Sequence, residues 1–132
     1  MKVTAILNNK HNEHHVTVTT DGNSKTISIP SKPTGYGSSV NGAELLLLSL
    51  ATCFCNDIYR EAAKRNIAVT EVSIEFTGDF GGEGEPGSNF QYKPHIKSNA
   101  TPEQLEQLID DTDAIAEIHK TLRQGLQVTL MK

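Results

Sequence analysis

The stretch Asn41-Gly42-Ala43-Glu44-Leu45-Leu46-Leu47-Leu48-Ser49-Leu50-Ala51-Thr52-Cys53-Phe54-Cys55 decides the fold. Asn41 followed three residues later by Glu44 is a capping box, so a helix starts here. From Glu44 to Cys55 that helix is apolar on nearly every side, and its first half is predicted to be wrapped by protein. From Asn56 to Arg65 it keeps Ile58, Tyr59, Ala62 and Ala63 on one stripe with charges elsewhere, and Asn66 suits its exit. The apolar run is interrupted by Ser49 and Thr52 and is too short to span a bilayer, so no membrane span is expected.

Working outward toward the amino terminus, apolar residues alternate at Val3, Ala5 and Leu7, at Val16 and Val18, and at Ile27 and Ile29. This period of two predicts three strands. Asn, Asp and Gly in the breaks Asn8–Glu13 and Asp21–Ser24 favour hairpin turns, which makes an antiparallel meander. A Ser-, Gly- and Pro-rich loop from Pro30 to Asn41 leads to the helix. Beyond the helix, Val72, Ile74 and Phe76 alternate as a strand, with Phe90, Tyr92 and Ile96 on its neighbour after a Gly-rich connection. Thr101-Pro102-Glu103-Gln104 is a second capping box with Pro in the first turn. Leu105, Leu108 and Ile109 give that helix a buried face, and Ile115, Ile118 and Leu122 mark another short one. Leu126, Val128 and Leu130 read as a closing strand. The fold class is α+β: antiparallel sheets around a long central buried helix, in one domain over residues 1–132.

At 132 residues the chain suits one core, and 36% apolar with 21% charged residues is an ordinary globular composition. A formal charge of −4 with 12 basic residues spread along the chain provides no cluster for phosphates, so neither nucleic acid nor an anionic membrane is an expected partner. MKVTAILNNK lacks the apolar stretch of a signal peptide, so a cytoplasmic chain is expected, and Asn99-Ala100-Thr101 then carries no meaning as a glycosylation acceptor. Cys53 and Cys55 are too few and too close for a secreted disulfide framework and read as free thiols.

Three motifs invite a functional reading and do not carry it. Gly82-Glu83-Gly84-Glu85-Pro86-Gly87 matches the dinucleotide-binding glycine pattern, but its glutamates repel phosphate and a strand follows where a helix is needed. A hairpin loop is expected. His11, Glu13, His14 and His15 could ligate a divalent metal, yet His14 and His15 point to opposite faces of a strand. On a helix Cys53 and Cys55 diverge by about 200°, which argues against a shared metal and against a mutual disulfide. No metal or cofactor is expected.

The thiols remain as individual groups, either small hydrophobes filling the core or reactive centres. Reactivity requires a cation or hydrogen-bond donors to offset the desolvation that raises a buried thiol's pKa. Cys53 lies too deep in the helix for its macrodipole to help, so a cation must come from another segment or subunit.

The stretch from Gly42 to Phe54 resembles the OsmC/Ohr family of stress-related thiol proteins, in which a glutamate opens the central helix and a cysteine followed by an aromatic sits in its middle. The order of elements resembles that family over essentially the whole chain, to His119-Lys120-Thr121-Leu122 and Gly125–Leu130. The resemblance implies an OsmC-like fold, an intertwined homodimer, and active sites formed between subunits. The family's peroxidases attack an organic hydroperoxide with a thiolate, giving a sulfenic acid that a second cysteine resolves. By resemblance Cys53 is the attacking thiol, and Glu44 the residue that orients an arginine beside it. No arginine precedes Arg60, leaving Lys10, His14 or His15 as substitutes. Ala116 aligns with the resolving cysteine. Cys55 could resolve Cys53 only if the helix unwound; otherwise an external thiol reductant completes a one-cysteine cycle. The expected function is thiol-dependent reduction of an organic hydroperoxide through Cys53. The alternative is a non-catalytic dimer that binds a small hydrophobic ligand in its interfacial cleft.

Overall fold

The computed structural model describes residues 1–132. Contacts divide the chain into two compact units, Met1–Leu45 and Leu46–Lys132.

In the first unit β1 (Val3–Lys10), β2 (Glu13–Thr20) and β3 (Asn23–Ile27) form an antiparallel sheet in the order β1-β2-β3. The turns are tighter than the breaks in hydrophobic pattern suggested. Asn12 (φ 58°) turns β1 into β2, and Asp21 (φ 45°) with Gly22 (φ 84°) turns β2 into β3, the two positive angles that a two-residue hairpin turn requires. The register sets Leu7 opposite Val16 and Val16 opposite Ile27, so one face carries an apolar row across all three strands. That face is open: Leu7 is 58% exposed and Ile27 43%.

The long helix α1 (Gly42–Lys64) starts where the capping box placed it. The Glu44 N–H donates to Asn41 Oδ1 and the Asn41 N–H donates to Glu44 Oε2, both at 2.8 Å. It stops at Asn66, which adopts φ 54° and donates its N–H to the Ala63 carbonyl.

In the second unit α1 is followed by β4 (Val69–Asp79), β5 (Ser88–Ser98), α2 (Pro102–Ile115) and α3 (Glu117–Gln124). β4 and β5 pair antiparallel, and the glycine pattern at Gly82–Gly87 lies in the hairpin loop that joins them. The core is built on one stripe of α1, where Phe54, Ile58 and Ala62 recur every four residues and pack with Leu108 of α2. Val72 and Ile74 of β4, Tyr92 and Ile96 of β5, and Leu105 and Ile109 of α2 close around them.

Two expectations are corrected. The closing strand is absent: residues after Gln124 belong to no helix or strand, with Leu126 69%, Val128 95% and Leu130 81% exposed. Alternation supplies strand propensity, but a strand also needs a neighbouring ladder to hydrogen-bond, and this segment pairs with no strand of its own chain. The first half of α1 is not fully wrapped either, since Leu45 is 37% and Leu48 59% exposed.

Candidate functional site

Both cysteines are free and half-buried, and they face different surroundings. Cys55 lines a shallow depression of about 250 Å³ with Ala51, Thr52, Asn56, Val72 and Ile74. Cys53 faces the junction of α2 and α3. There Ala116, fully buried with ψ 112°, breaks the helix, so the next residue, Glu117, opens α3. One turn along α1 from Cys53 stands Asp57, only 3% exposed.

These three side chains form one cluster. Cys53 Sγ lies within donating distance of both carboxyl groups, 3.7 Å from Asp57 Oδ2 and 3.8 Å from Glu117 Oε2. The ligand atoms of all three lie within 4.8 Å of one another. Arg60 Nη1 donates to Asp57 Oδ1 at 2.8 Å, which leaves Oδ2 to face the thiol. A thiolate and two carboxylates so close could share a divalent ion or a proton. Asp57 is almost fully enclosed beside a second carboxylate, which favours the proton.

The electrostatics divide the three groups. Burial, above all, raises the Cys53 thiol from its ordinary 9.0; the backbone N–H of Ile118 opposes this, and the charges of Asp57 and Glu117 reinforce it. Burial and the neighbouring Glu117 also raise Asp57, against the pull of Arg60. Glu117 is lowered, first by the backbone N–H at the start of α3 and then by Arg60.

A second network is centred on Asp113. Its carboxylate accepts from the Tyr92 hydroxyl, faces His119 Nδ1 at 3.3 Å, and takes two bonds from Arg123 Nη2 at 2.8 and 2.9 Å. Those donors lower Asp113 although burial opposes them, and burial followed by the Asp113 bond holds the Tyr92 phenol well above its ordinary value. His119, 4% exposed, stacks on Phe54 with ring centroids 6.0 Å apart, and its Nε2 lies 3.3 Å from the Leu50 carbonyl. Tyr92, His119 and Arg123 form the polar floor of a cleft of about 230 Å³, walled by Leu50, Phe76, Phe90 and Leu122.

The other residues singled out from the sequence are engaged within the first unit. Lys10 Nζ pairs with Glu13 at 3.1 Å, His14 Nδ1 lies 3.0 Å from Asn9 Nδ2, and His15 lies 3.9 Å from Glu13. Glu44 caps α1. Asp57, Glu117 and Asp113 were not singled out. Asp57 carried a signal, its four-residue spacing from Cys53; Glu117 is 64 residues away and carried none.

The family model described as OsmC-like protein matches residues 35–131. No curated protein matches the chain. Among solved structures, the OsmC-like protein of Mycoplasma pneumoniae is similar with TM-score 0.65 and 20% identity, covering 92% of this chain and 86% of that one. An OsmC-like protein of unknown function from Vibrio cholerae has TM-score 0.61 and 17% identity, covering 91% and 92%. An organic hydroperoxide resistance protein from Legionella pneumophila has TM-score 0.60 and 20% identity, covering 93% and 90%. At these identities the structures establish a shared fold.

Proposed function

The chain belongs to the OsmC-like protein family, and from that premise we propose that it reduces organic hydroperoxides at the Cys53 thiol, with an external thiol as reductant. The observation that carries this reading is a half-buried sulfur with two carboxyl oxygens 3.7 and 3.8 Å away, one of them able to receive its proton. The hydroperoxide-resistance role named for the Legionella pneumophila protein of the same fold supports the substrate class. Sulfur bonds the distal peroxide oxygen, the O–O bond breaks, and the products are a sulfenic acid and an alcohol. With alanine at position 116 and Cys55 turned away along the helix, the sulfenic acid is resolved by a thiol from solution. A reducing compartment suits such a cycle, and we assign the chain to the cytoplasm as a single functional domain. The test is the intact mass of the reduced protein after a few equivalents of an organic hydroperoxide. Gain of one oxygen at Cys53 is the expected result. A protein whose cysteines stay reduced while free thiols in the same tube are oxidised would sink the reading.

We further propose a homodimer. The apolar row Leu7, Val16 and Ile27 lies on an exposed sheet face, and Leu126, Val128 and Leu130 alternate along an exposed terminal segment. A three-stranded sheet needs its apolar face covered, and a second copy supplies both surfaces. Sedimentation at twice the chain mass is expected, with a shift toward monomer when residues 126–132 are removed; a wild-type monomer overturns the assignment.

A second reading has its own support in the cleft over Tyr92, His119 and Arg123, whose apolar walls suit a small hydrophobic or acyl-type ligand. Medium-chain fatty acids should then raise the melting temperature, and Leu122→Arg should remove that shift. Equal melting temperatures with and without the acids count against a ligand here.

A further inference from the structure

Reducing a hydroperoxide with a neutral thiol moves a proton at both ends of the reaction. The sulfur loses one as it bonds oxygen, and the alkoxide released by O–O cleavage gains one. From the arrangement around Cys53 we infer that Asp57 and Glu117 are catalytic residues acting as a proton-sharing pair, Glu117 taking the thiol proton and Asp57 protonating the leaving oxygen. This inference rests on the peroxide-reducing reading of Cys53.

Position comes first. Both carboxyl groups approach the reacting sulfur, at 3.7 and 3.8 Å, from different helices, and their oxygens lie within 4.8 Å of each other. Arg60 fixes the far oxygen of Asp57 at 2.8 Å and thereby aims the near one at the sulfur. The two environments differ in the sense an acid and a base require: Asp57 is buried, whereas Glu117 is exposed at the start of α3. Burial and the Glu117 charge push the Asp57 carboxyl up against the pull of Arg60, while the α3 backbone N–H and Arg60 pull Glu117 down, so a proton held by the pair favours Asp57.

The step balances. The Sγ–H proton goes to the Glu117 carboxylate as sulfur bonds the distal oxygen. The electron pair of the breaking O–O bond stays on the proximal oxygen, which takes the Asp57 proton and leaves as an alcohol. Glu117 then passes its new proton to Asp57, restoring the pair. Sulfur is oxidised, the peroxide is reduced, and no other reactant enters. A thiolate formed by a neighbouring cation is not required, which suits a site whose charged groups next to the sulfur are carboxylates.

Two rates on the full-length wild type, Glu117→Gln and Asp57→Asn test the pair. The first is consumption of an organic hydroperoxide with dithiothreitol as reductant. The second is alkylation of Cys53 by iodoacetamide, which involves no alkoxide to protonate. Glu117→Gln should lose about 100-fold in hydroperoxide reduction, the low end for general acid–base catalysis because a carboxylate is a weak base. Its alkylation should hold or rise, since a negative charge beside the sulfur has gone. Asp57→Asn should show the same split, and Glu117→Asp should recover part of the rate. If the carboxylates act only as charges that hold the proton on sulfur, Glu117→Gln accelerates both reactions and the inference fails. If both rates fall together in both variants, their role is structural and it fails equally. Absence of Cys53-dependent turnover in the wild type defeats the peroxide reading itself; turnover that survives both substitutions defeats only the pair.

Discussion

Cys53→Ser is expected to consume no organic hydroperoxide and to gain no oxygen, whereas Cys55→Ser should keep most of the wild-type rate. The contrast follows from chemistry and from position. A serine hydroxyl cannot take up the peroxide oxygen as a sulfenic acid, even beside a carboxylate base, while sulfur is an intrinsically strong nucleophile toward it. Cys55 has sulfur too, but it sits among Ala51, Thr52, Asn56, Val72 and Ile74 with no carboxylate among them. Two residues along a helix it points about 200° away from Cys53, so the pair cannot close a disulfide while α1 holds its turns. Oxidised Cys53 should therefore appear as sulfenic acid or as a mixed disulfide with the added thiol. The thiol's raised pKa adds a second signature. With its thiol pushed up by burial, Cys53 should alkylate slowly at neutral pH and faster as pH rises. An alkylation rate already level at pH 7 would mean that a cation has displaced the influence of Asp57 and Glu117. Turnover retained by Cys53→Ser would remove this residue from the mechanism altogether.

What could be read in the sequence was mostly local. The caps of α1 and α2 are written within four residues, Asn41 to Glu44 and Thr101 to Gln104, and both reciprocal bond pairs are present. Of the stripe Ile58, Tyr59, Ala62 and Ala63, helical period placed Ile58 and Ala62 in the core with Phe54, but Tyr59 and Ala63 are exposed. The closing strand failed because alternation at Leu126, Val128 and Leu130 reports what a segment could do beside a ladder, not whether its own chain provides one. The surroundings of Cys53 were half legible. Asp57 stands one turn away on the same helix, so its approach was computable, but Glu117 is brought up by the break at Ala116, a packing event no short-range pattern encodes. The Asp113 network was hidden for the same reason, since Tyr92 reaches it from β5.

Asp113→Ala should destabilise the protein by about 2–3 kcal/mol, below the full cost of breaking a buried ion pair because Asp113 is 32% exposed. The loss is larger than one hydrogen bond because several donors converge on this carboxylate. Arg123 is 54% exposed and can turn to water, but His119 is almost fully enclosed and cannot. Its Nδ1 would be left without a partner beside Phe54, Phe76 and Tyr92. Asp113→Asn should cost less, because an amide oxygen still accepts from Tyr92 or His119. The pH dependence has a definite sign. The folded state holds Asp113 below its ordinary 3.8, so its contribution is complete above that value and disappears as pH falls through the folded one. Tyr92 is shifted the other way, so its contribution is complete below pH 10.0 and fades as pH rises beyond it. Urea denaturation of wild type and Asp113→Asn should thus show a stability gap that is flat between those limits and narrows below pH 3.8. A gap that widens on acidification would reverse the assignment of Asp113 as the ionised centre. Asp113→Ala with wild-type stability at pH 7 would mean that water replaces the carboxylate as the partner of His119 and Tyr92.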